Sequence, residues 1–268
     1  MSVPNRAPSS VEPIGVTIVV PCFNEVAGLR HLQTKLQSAT SRLKHGYRVE
    51  IVLVDDGSDD GTWDLMQNLF ANLPRVILVR HSSNRGIGAA IVTGIRAAST
   101  EIICSIDADC SYDPCELERL IPLLAPTVDL VTASPYHPDG KVVGVAGWRL
   151  LLSKAASFLY GQILRLELHT YTSCFRVYRR SSISKLNLRH HDFLAMAESI
   201  GRLSLQGGVV VECPATLTTR LYGNSKMKTA RVLLRHLNLM VELFTLKVRQ
   251  TLFGGLPPVV RPFSPNEN

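Results

Sequence analysis

The 268-residue chain is short of the features that most quickly fix a function class. It has no run of about 18 uncharged apolar residues, so no segment reads as a membrane-spanning helix. Its six cysteines (Cys22, Cys104, Cys110, Cys115, Cys174 and Cys213) form no Cys-x-x-Cys pair. In a chain of this length that pattern reads as reduced, intracellular thiols and not as a disulfide frame. No Gly-x-Gly-x-x-Gly follows the first strand pattern, which disfavours a dinucleotide-dependent dehydrogenase. The phosphate-cradling Gly-x-x-x-x-Gly-Lys-Ser/Thr of P-loop nucleotidases is absent as well. Residues Met1 to Pro13 are polar and rich in Pro and Ser, without the apolar stretch of a secretory signal. The expected location is therefore cytoplasmic, in solution or peripheral on the cytoplasmic face of a membrane, and not secreted.

What is present is ordinary for a folded protein, with 46% hydrophobic and 6% aromatic residues. A formal net charge of +7 favours an anionic partner: nucleic acid, a phosphorylated ligand or an acidic membrane surface. The basic residues are dispersed and no aromatic-basic motif accompanies them, so nucleic acid is the least favoured of the three.

The first half alternates two periods. Val16–Val20, Val49–Val54, Val76–Val79 and Glu101–Ile106 read as buried strands, separated by helical patterns at Val26–Leu43, Thr62–Leu73 and Gly88–Ala98. Such alternation predicts an α/β fold with a mostly parallel central sheet flanked by helices. The second half is less regular. Val128–Ala133 and Val209–Val211 read as strands, Ser173–Tyr178 as extended, and Trp148–Leu168, Phe193–Gln206 and Thr229–Phe253 as helices. The expected organisation is a disordered segment 1–13, a domain 14–226 with a boundary near 113/114, an amphipathic helix 227–253 and a disordered tail 254–268.

In parallel sheets ligands bind beyond the carboxyl ends of the strands, and the polar clusters fall there. Asp107-Ala108-Asp109 ends the fourth strand pattern. Crowded carboxylates disfavour double ionisation unless a cation joins them. Mg²⁺ or Mn²⁺ suits oxygen ligands and shares them with substrate phosphates. A lone Asp-x-Asp is more often a solvated turn. Three further clusters at equivalent strand ends reverse that reading: Pro21-Cys22-Phe23-Asn24-Glu25, Asp55-Asp56-Gly57-Ser58 and Asn84-Arg85-Gly86-Ile87-Gly88-Ala89. For the last of these, a plain strand-to-helix turn and a ligand contact are equally weighted.

Four segments in this order, VTIVVPCFNE, VLVDDGSDDGT, NRGIGAA and DADCSYDP, resemble the family-2 glycosyltransferases. The likeness runs from about Val16 to Lys226. It implies the GT-A fold, a nucleotide-sugar donor and a divalent metal, Mg²⁺ or Mn²⁺. It also implies a nucleotide pocket of Pro21, Phe23, Glu25, Val54 and Asp56, with Asp107 and Ala108 continuing it, and a metal site of Asp107 and Asp109. Further segments resemble the dolichol- and polyprenyl-phosphate sugar synthases: Trp148-Arg149 with Ser153, Thr172-Ser173-Cys174-Phe175-Arg176, Glu212-Cys213-Pro214, and Arg220 with Gly223, Ser225 and Lys226. There the arginines and the lysine hold phosphates, which implies an acceptor-phosphate set of Arg149, Ser153, Arg220 and Lys226. Guanidinium and ammonium groups do bind phosphate oxygens through charge-assisted hydrogen bonds. The implied catalytic set is Asp107, Asp109, Arg149, Arg220 and Lys226.

The chain departs from that subfamily at named positions. Ala133-Ser134-Pro135-Tyr136 replaces a Gly-Ser-Arg-Tyr stretch and loses an arginine. Thr170 stands where an acidic residue is usual, Cys174 where a glycine is, and Ser111 replaces a glutamine as a metal ligand.

The expected chemistry is an in-line displacement at the anomeric carbon with inversion. A phosphate monoester, with a second pKa of about 6, is already a nucleophile and needs only positioning. A hydroxyl acceptor would instead need a carboxylate base. Asp192 is the first candidate and Glu198 the second, although Asp192 reads better as a helix N-cap. A silent binding module that has lost transfer is the alternative outside enzymes. The leucine- and arginine-rich helix beginning near Arg231 reads in three ways: membrane interface, packing against the domain, or dimerisation.

Overall fold

The computed structural model describes residues 12–145, 147–222 and 229–253, apart from the side chains at 149 and 229–233. Expectations for the N-terminal segment, for Lys226 and for the tail lie outside these residues.

In chain order the elements are β1 (Ile14–Cys22), α1 (Leu29–Leu43), β2 (Tyr47–Asp55), α2 (Thr62–Phe70), β3 (Val76–Arg80), α3 (Ile87–Ala97) and β4 (Ile102–Ser105). There follow α4 (Leu117–Leu120), β5 (Leu130–Ser134), β6 (Lys141–Val143), α5 (Gly147–Leu164), β7 (Arg176–Arg179) and α6 (Arg180–Ile183). The described part closes with α7 (Leu194–Leu205), β8 (Val210–Pro214), β9 (Thr216–Thr218) and α8 (Thr229–Phe253).

Seven strands form one sheet in the order β3-β2-β1-β4-β7-β5-β8, and β6 pairs with β9 in a small parallel ribbon. β7 runs antiparallel to both its neighbours, while the other pairs in the large sheet are parallel. The predicted α/β class and mostly parallel sheet are therefore present, with one reversed strand in the middle. Alternation along β1 explains the two-faced core. Val16, Ile18 and Val20 pack toward the side of α1, α2 and α4, whereas Val19 meets the cluster built from α3, α5, α7 and α8.

Register sets the position of the site. Cys22 pairs with Asp55 and Val19 with Ser105, so β1, β2 and β4 all release their chains at the same sheet edge. Strand lengths and turns there follow from buried β-branched runs that stop where carboxylates begin.

Several boundaries differ from the expected ones. The Val26 helix begins at Leu29, because residues 26–28 form a turn. The long helix expected to reach Leu168 ends at Leu164. Arg165 there takes a left-handed backbone (φ 57°), and Tyr171 Oη caps the departing chain by donating to Leu166 O at 3.1 Å. The ribbon β6–β9 and the short α4 and α6 carry too few residues for periodicity to register.

α8 is docked on the domain. Leu239, Met240 and Leu243 are buried, Tyr160 Oη lies 2.9 Å from His236 Nδ1, and Lys247 Nζ donates to Ile163 O at 2.7 Å. Burial pushes the His236 pKa below its ordinary value, although the Asp192 charge opposes the shift. Among the described residues no helix is long and apolar enough to cross a membrane.

Candidate active site

The loop after β1 and the loop after β2 are stitched to each other. Asn24, with a left-handed backbone (φ 54°), donates its amide to Ser58 Oγ at 2.9 Å and its side-chain amide to Asp59 Oδ1 at 2.7 Å. The Asp59 amide returns a bond to Asn24 Oδ1 at 3.0 Å, and the Glu25 amide donates to Thr62 Oγ1 at 2.8 Å. Asp60 closes the arrangement. Despite some burial, hydrogen bonds from the Thr62 hydroxyl and amide hold its carboxyl below the usual range. Phe23 and Glu25 thus stand on a braced ledge at the sheet edge. Pro21 and Val54 are interior, and Val54 packs into the core beneath α3, so its side chain serves packing.

Asp56 turns inward to the third loop. Its carboxylate accepts from the Arg85 amide (2.9 Å), the Gly86 amide (2.7 Å) and His81 Nδ1 (2.7 Å), while His81 Nε2 reaches Thr93 Oγ1 at 2.9 Å. Gly57 is required by close approach: a Cβ there would meet Ser83 C at 2.4 Å, on a backbone at φ 72°. The glycines of Asn84–Ala89 act the same way. A Cβ on Gly86 would lie 2.5 Å from His191 O, and one on Gly88 would lie 2.5 Å from the Ala195 Cβ. The Ala89 amide donates to His191 O at 3.0 Å. That turn is a packing joint against the start of α7, which supports the plainer of its two sequence readings. His81 gave no signal in the sequence, because a lone histidine after a strand has no pattern to mark it.

The paired carboxylates sit where β4 ends. Burial first, and the neighbouring Asp109 second, push the Asp107 pKa up to about 7, although the Cys174 thiol and Arg220 oppose the shift. Asp109 Oδ1 accepts from the Ser111 amide (2.9 Å) and hydroxyl (2.7 Å), and Arg220 Nη2 lies 2.8 Å from Asp109 Oδ2. Cys110, between Asp109 and Ser111, adopts a left-handed backbone at φ 52°. Lys35 Nζ binds Asp113 at 2.6 Å and anchors the following turn to α1.

Two carboxylates and a hydroxyl fit a hard divalent cation. Among the described residues no group of three or more His, Cys, Asp or Glu could hold one alone, so the donor set requires oxygens from a ligand to complete it. A protonation cost already stored in Asp107 is what such a cation would relieve.

The acceptor side is partly visible. Ser153 Oγ on α5 lies 3.2 Å from Thr172 Oγ1, and Lys154 Nζ on the same helix sits over the Tyr136 ring at 5.3 Å. Arg149 belongs to α5, one turn before Ser153. Arg176 is not a phosphate ligand. It is wholly buried, donating to Met196 O, Ser199 Oγ and Tyr171 O at 2.8–2.9 Å, and holds α7 to β7.

The two candidate bases are otherwise occupied. Asp192 Oδ1 accepts from the Leu194 amide at 3.1 Å, just ahead of α7, whose N-cap position is Phe193, and its other oxygen pairs with Arg235 on α8. Glu198 is buried and receives the amides of Arg189 and His190 and the Arg202 guanidinium at 2.6–3.1 Å. It is a structural carboxylate. Asp192 bonds the first residue of α7 from one position ahead of its N-cap, so the expected cap is displaced by one residue, and Glu198 is wholly buried.

Comparisons with known proteins identify the family and the fold. The profile described as "Glycosyl transferase family 2" matches residues 17–186. A polyprenol monophosphomannose synthase of Mycolicibacterium smegmatis is 33% identical over 84% of this chain and 86% of its own length. A dolichol-phosphate mannosyltransferase of Pyrococcus furiosus is 30% identical over 83% of this chain and 62% of that protein. Among solved structures, glucosyl-3-phosphoglycerate synthase from Mycobacterium tuberculosis, with Mn²⁺, uridine diphosphate and glucosyl-3-phosphoglycerate, superposes at a TM-score of 0.63. It shares 18% identity over 87% of this chain and 80% of that one. A mannosyltransferase from Pyrobaculum calidifontis in complex with GDP-Man and Mn²⁺ gives a TM-score of 0.56 at 18% identity, covering 94% and 81% of the two chains. These neighbours share the fold, and the chain is a glycosyltransferase that belongs to family 2.

Proposed function

We propose that this enzyme moves a hexose, mannose in the first instance, from a guanosine-diphosphate sugar to a polyprenyl or dolichyl monophosphate, with inversion and with Mg²⁺ or Mn²⁺. The crowding of Asp107 and Asp109 at the end of β4, with Arg220 against them, is the observation that carries this reading. The named activities of the relatives from Mycolicibacterium and Pyrococcus support the lipid-phosphate acceptor.

Each residue has a task in this mechanism. Phe23 and Glu25 line the nucleotide side of the ledge. Asp56, expected on the nucleotide side, also fixes the loop behind the ledge. Asp107, Asp109 and Ser111 would hold the metal, which supplies charge neutralisation of the leaving diphosphate. Arg149, Ser153, Arg220 and Lys226 orient the acceptor phosphate, which attacks without a general base. The engagement of Asp192 and Glu198 supports the same choice, since a hydroxyl acceptor would need one of them ionised and accessible.

The surface supports delivery of a lipid. Leu151 and Phe158 on α5 and Leu234, Leu237, Val241 and Phe244 on α8 are exposed, and Lys154, Arg235 and Arg249 lie on the same two helices. An apolar face with basic residues suits peripheral attachment to an anionic bilayer.

The deciding experiment incubates the protein with a panel of nucleotide sugars, Mn²⁺ or Mg²⁺, and a short polyprenyl phosphate, following released nucleoside diphosphate. Release needing both metal and prenyl phosphate is expected, and Asp109→Ala should lower it on the order of 10²- to 10³-fold. Release indifferent to prenyl phosphate would overturn the acceptor. Metal-dependent binding without release would identify a silent module.

A further inference from the structure

Asp109 and Arg220 meet at the site that would hold the divalent cation of the proposed reaction. Both oxygens of Asp109 are engaged, Oδ1 by the amide and hydroxyl of Ser111 and Oδ2 by Arg220 Nη2 at 2.8 Å. The pairing is built by the backbone. Thr218 donates its amide and hydroxyl to Ser111 O at 2.9 and 3.1 Å, and the Thr219 amide donates to Val143 O at 3.2 Å. β9 is therefore tied to the Asp109 loop and to β6 just before it delivers Arg220. The Asp109 side chain is 9% exposed and that of Arg220 is 32% exposed, so the arginine has room to leave and the aspartate does not.

A guanidinium and a divalent cation cannot share one shielded carboxylate oxygen without strong repulsion. We propose that Arg220 stands in for the divalent cation at Asp109, and that it gives up Asp109 Oδ2 when the metal is bound and turns to the phosphate of the acceptor. The inference rests on the metal-dependent transferase reading and adds an order to it: the acceptor site is completed only after the metal site is filled. Linkage makes the effect reciprocal, so a phosphate that draws Arg220 away must raise metal affinity by the same factor.

The test is Mn²⁺ binding to the full chain, read from the magnetic resonance signal of free Mn²⁺, without sugar nucleotide so that no turnover occurs. Arg220→Gln should bind Mn²⁺ at least about 5-fold more tightly than the wild type, a coupling of ordinary size. A short-chain prenyl monophosphate should tighten Mn²⁺ binding to the wild type, and to Arg220→Lys in part, but not to Arg220→Gln. Lys35→Gln, which removes a cation held by Asp113 instead, should leave both quantities unchanged. If Arg220→Gln binds Mn²⁺ no better than the wild type while binding still depends on Asp109, the stand-in role is wrong and the metal site stands. If no variant binds Mn²⁺ even with a nucleoside diphosphate present, the metal reading falls and this inference with it.

Discussion

At the scale of single residues, Asp107 stores a cost that function would recover. Its folded pKa, pushed up to about 7, lies above the unfolded value of 3.8, so the folded state holds the proton more tightly between those values. Stability from this group is therefore greatest below the window and falls as pH rises through it. Asp107→Asn removes the repulsion while keeping the shape. In the presence of a chelator its thermal unfolding should flatten between pH 4 and 7 and gain on the order of 1–2 kcal/mol at pH 8 over the wild type, given that tenfold in proton affinity is worth about 1.4 kcal/mol. The same variant should lose sugar transfer. Unchanged unfolding at pH 8 would mean that Asp107 is already compensated in the metal-free protein.

At the scale of elements, α8 is bound to α7 and α5 by a narrow buried stripe. Leu243 is fully buried and its Cδ1 lies where a Cβ on Gly201 would come within 2.6 Å, so the two helices touch at a glycine. Arg202 joins Glu198 on its own helix to Glu242 on α8 at 2.6 and 2.7 Å. Leu243→Ala should cost about 2–4 kcal/mol in denaturant unfolding, the range for a buried leucine whose cavity cannot collapse. A loss below about 1 kcal/mol would show that α8 contributes little to the fold. The helical stripe was legible in the sequence of Thr229–Phe253. Which of its faces would be covered was not, because Leu237 and Leu239 are equally apolar and only α5 and α7 decide between them.

At the scale of the whole molecule, the covered and uncovered faces of α8 divide stability from location. Val241 and Phe244 are 65% and 54% exposed, so replacing both with glutamate should leave the unfolding temperature unchanged. Partition onto anionic vesicles should fall at least about tenfold, since each side chain is worth about 1.5–3 kcal/mol when buried in an apolar phase. Equal sedimentation of the double variant and the wild type with such vesicles would remove this face from the membrane.

Local chemistry determined a good deal without coordinates. Buried β-branched runs ending in Asp55-Asp56 and Asp107-Ala108-Asp109 specify strands whose polar ends share one edge, because a parallel sheet has only one edge of carboxyl ends. Tertiary structure decided which polar groups face a ligand and which face the protein. Asp56, Arg176, Asp192 and Glu198 have the same chemistry as ligand-binding residues, yet each is engaged inside the protein: Asp56 by the Arg85 amide, Arg176 with Met196 O, Asp192 by Arg235, and Glu198 by the His190 amide and Arg202. The reversed β7 and the pairing of Arg220 with Asp109 arise in the same way. Contacts between residues as far apart as Asp109 and Arg220 leave no period in a sequence; they exist only once the sheet has brought the strand ends together.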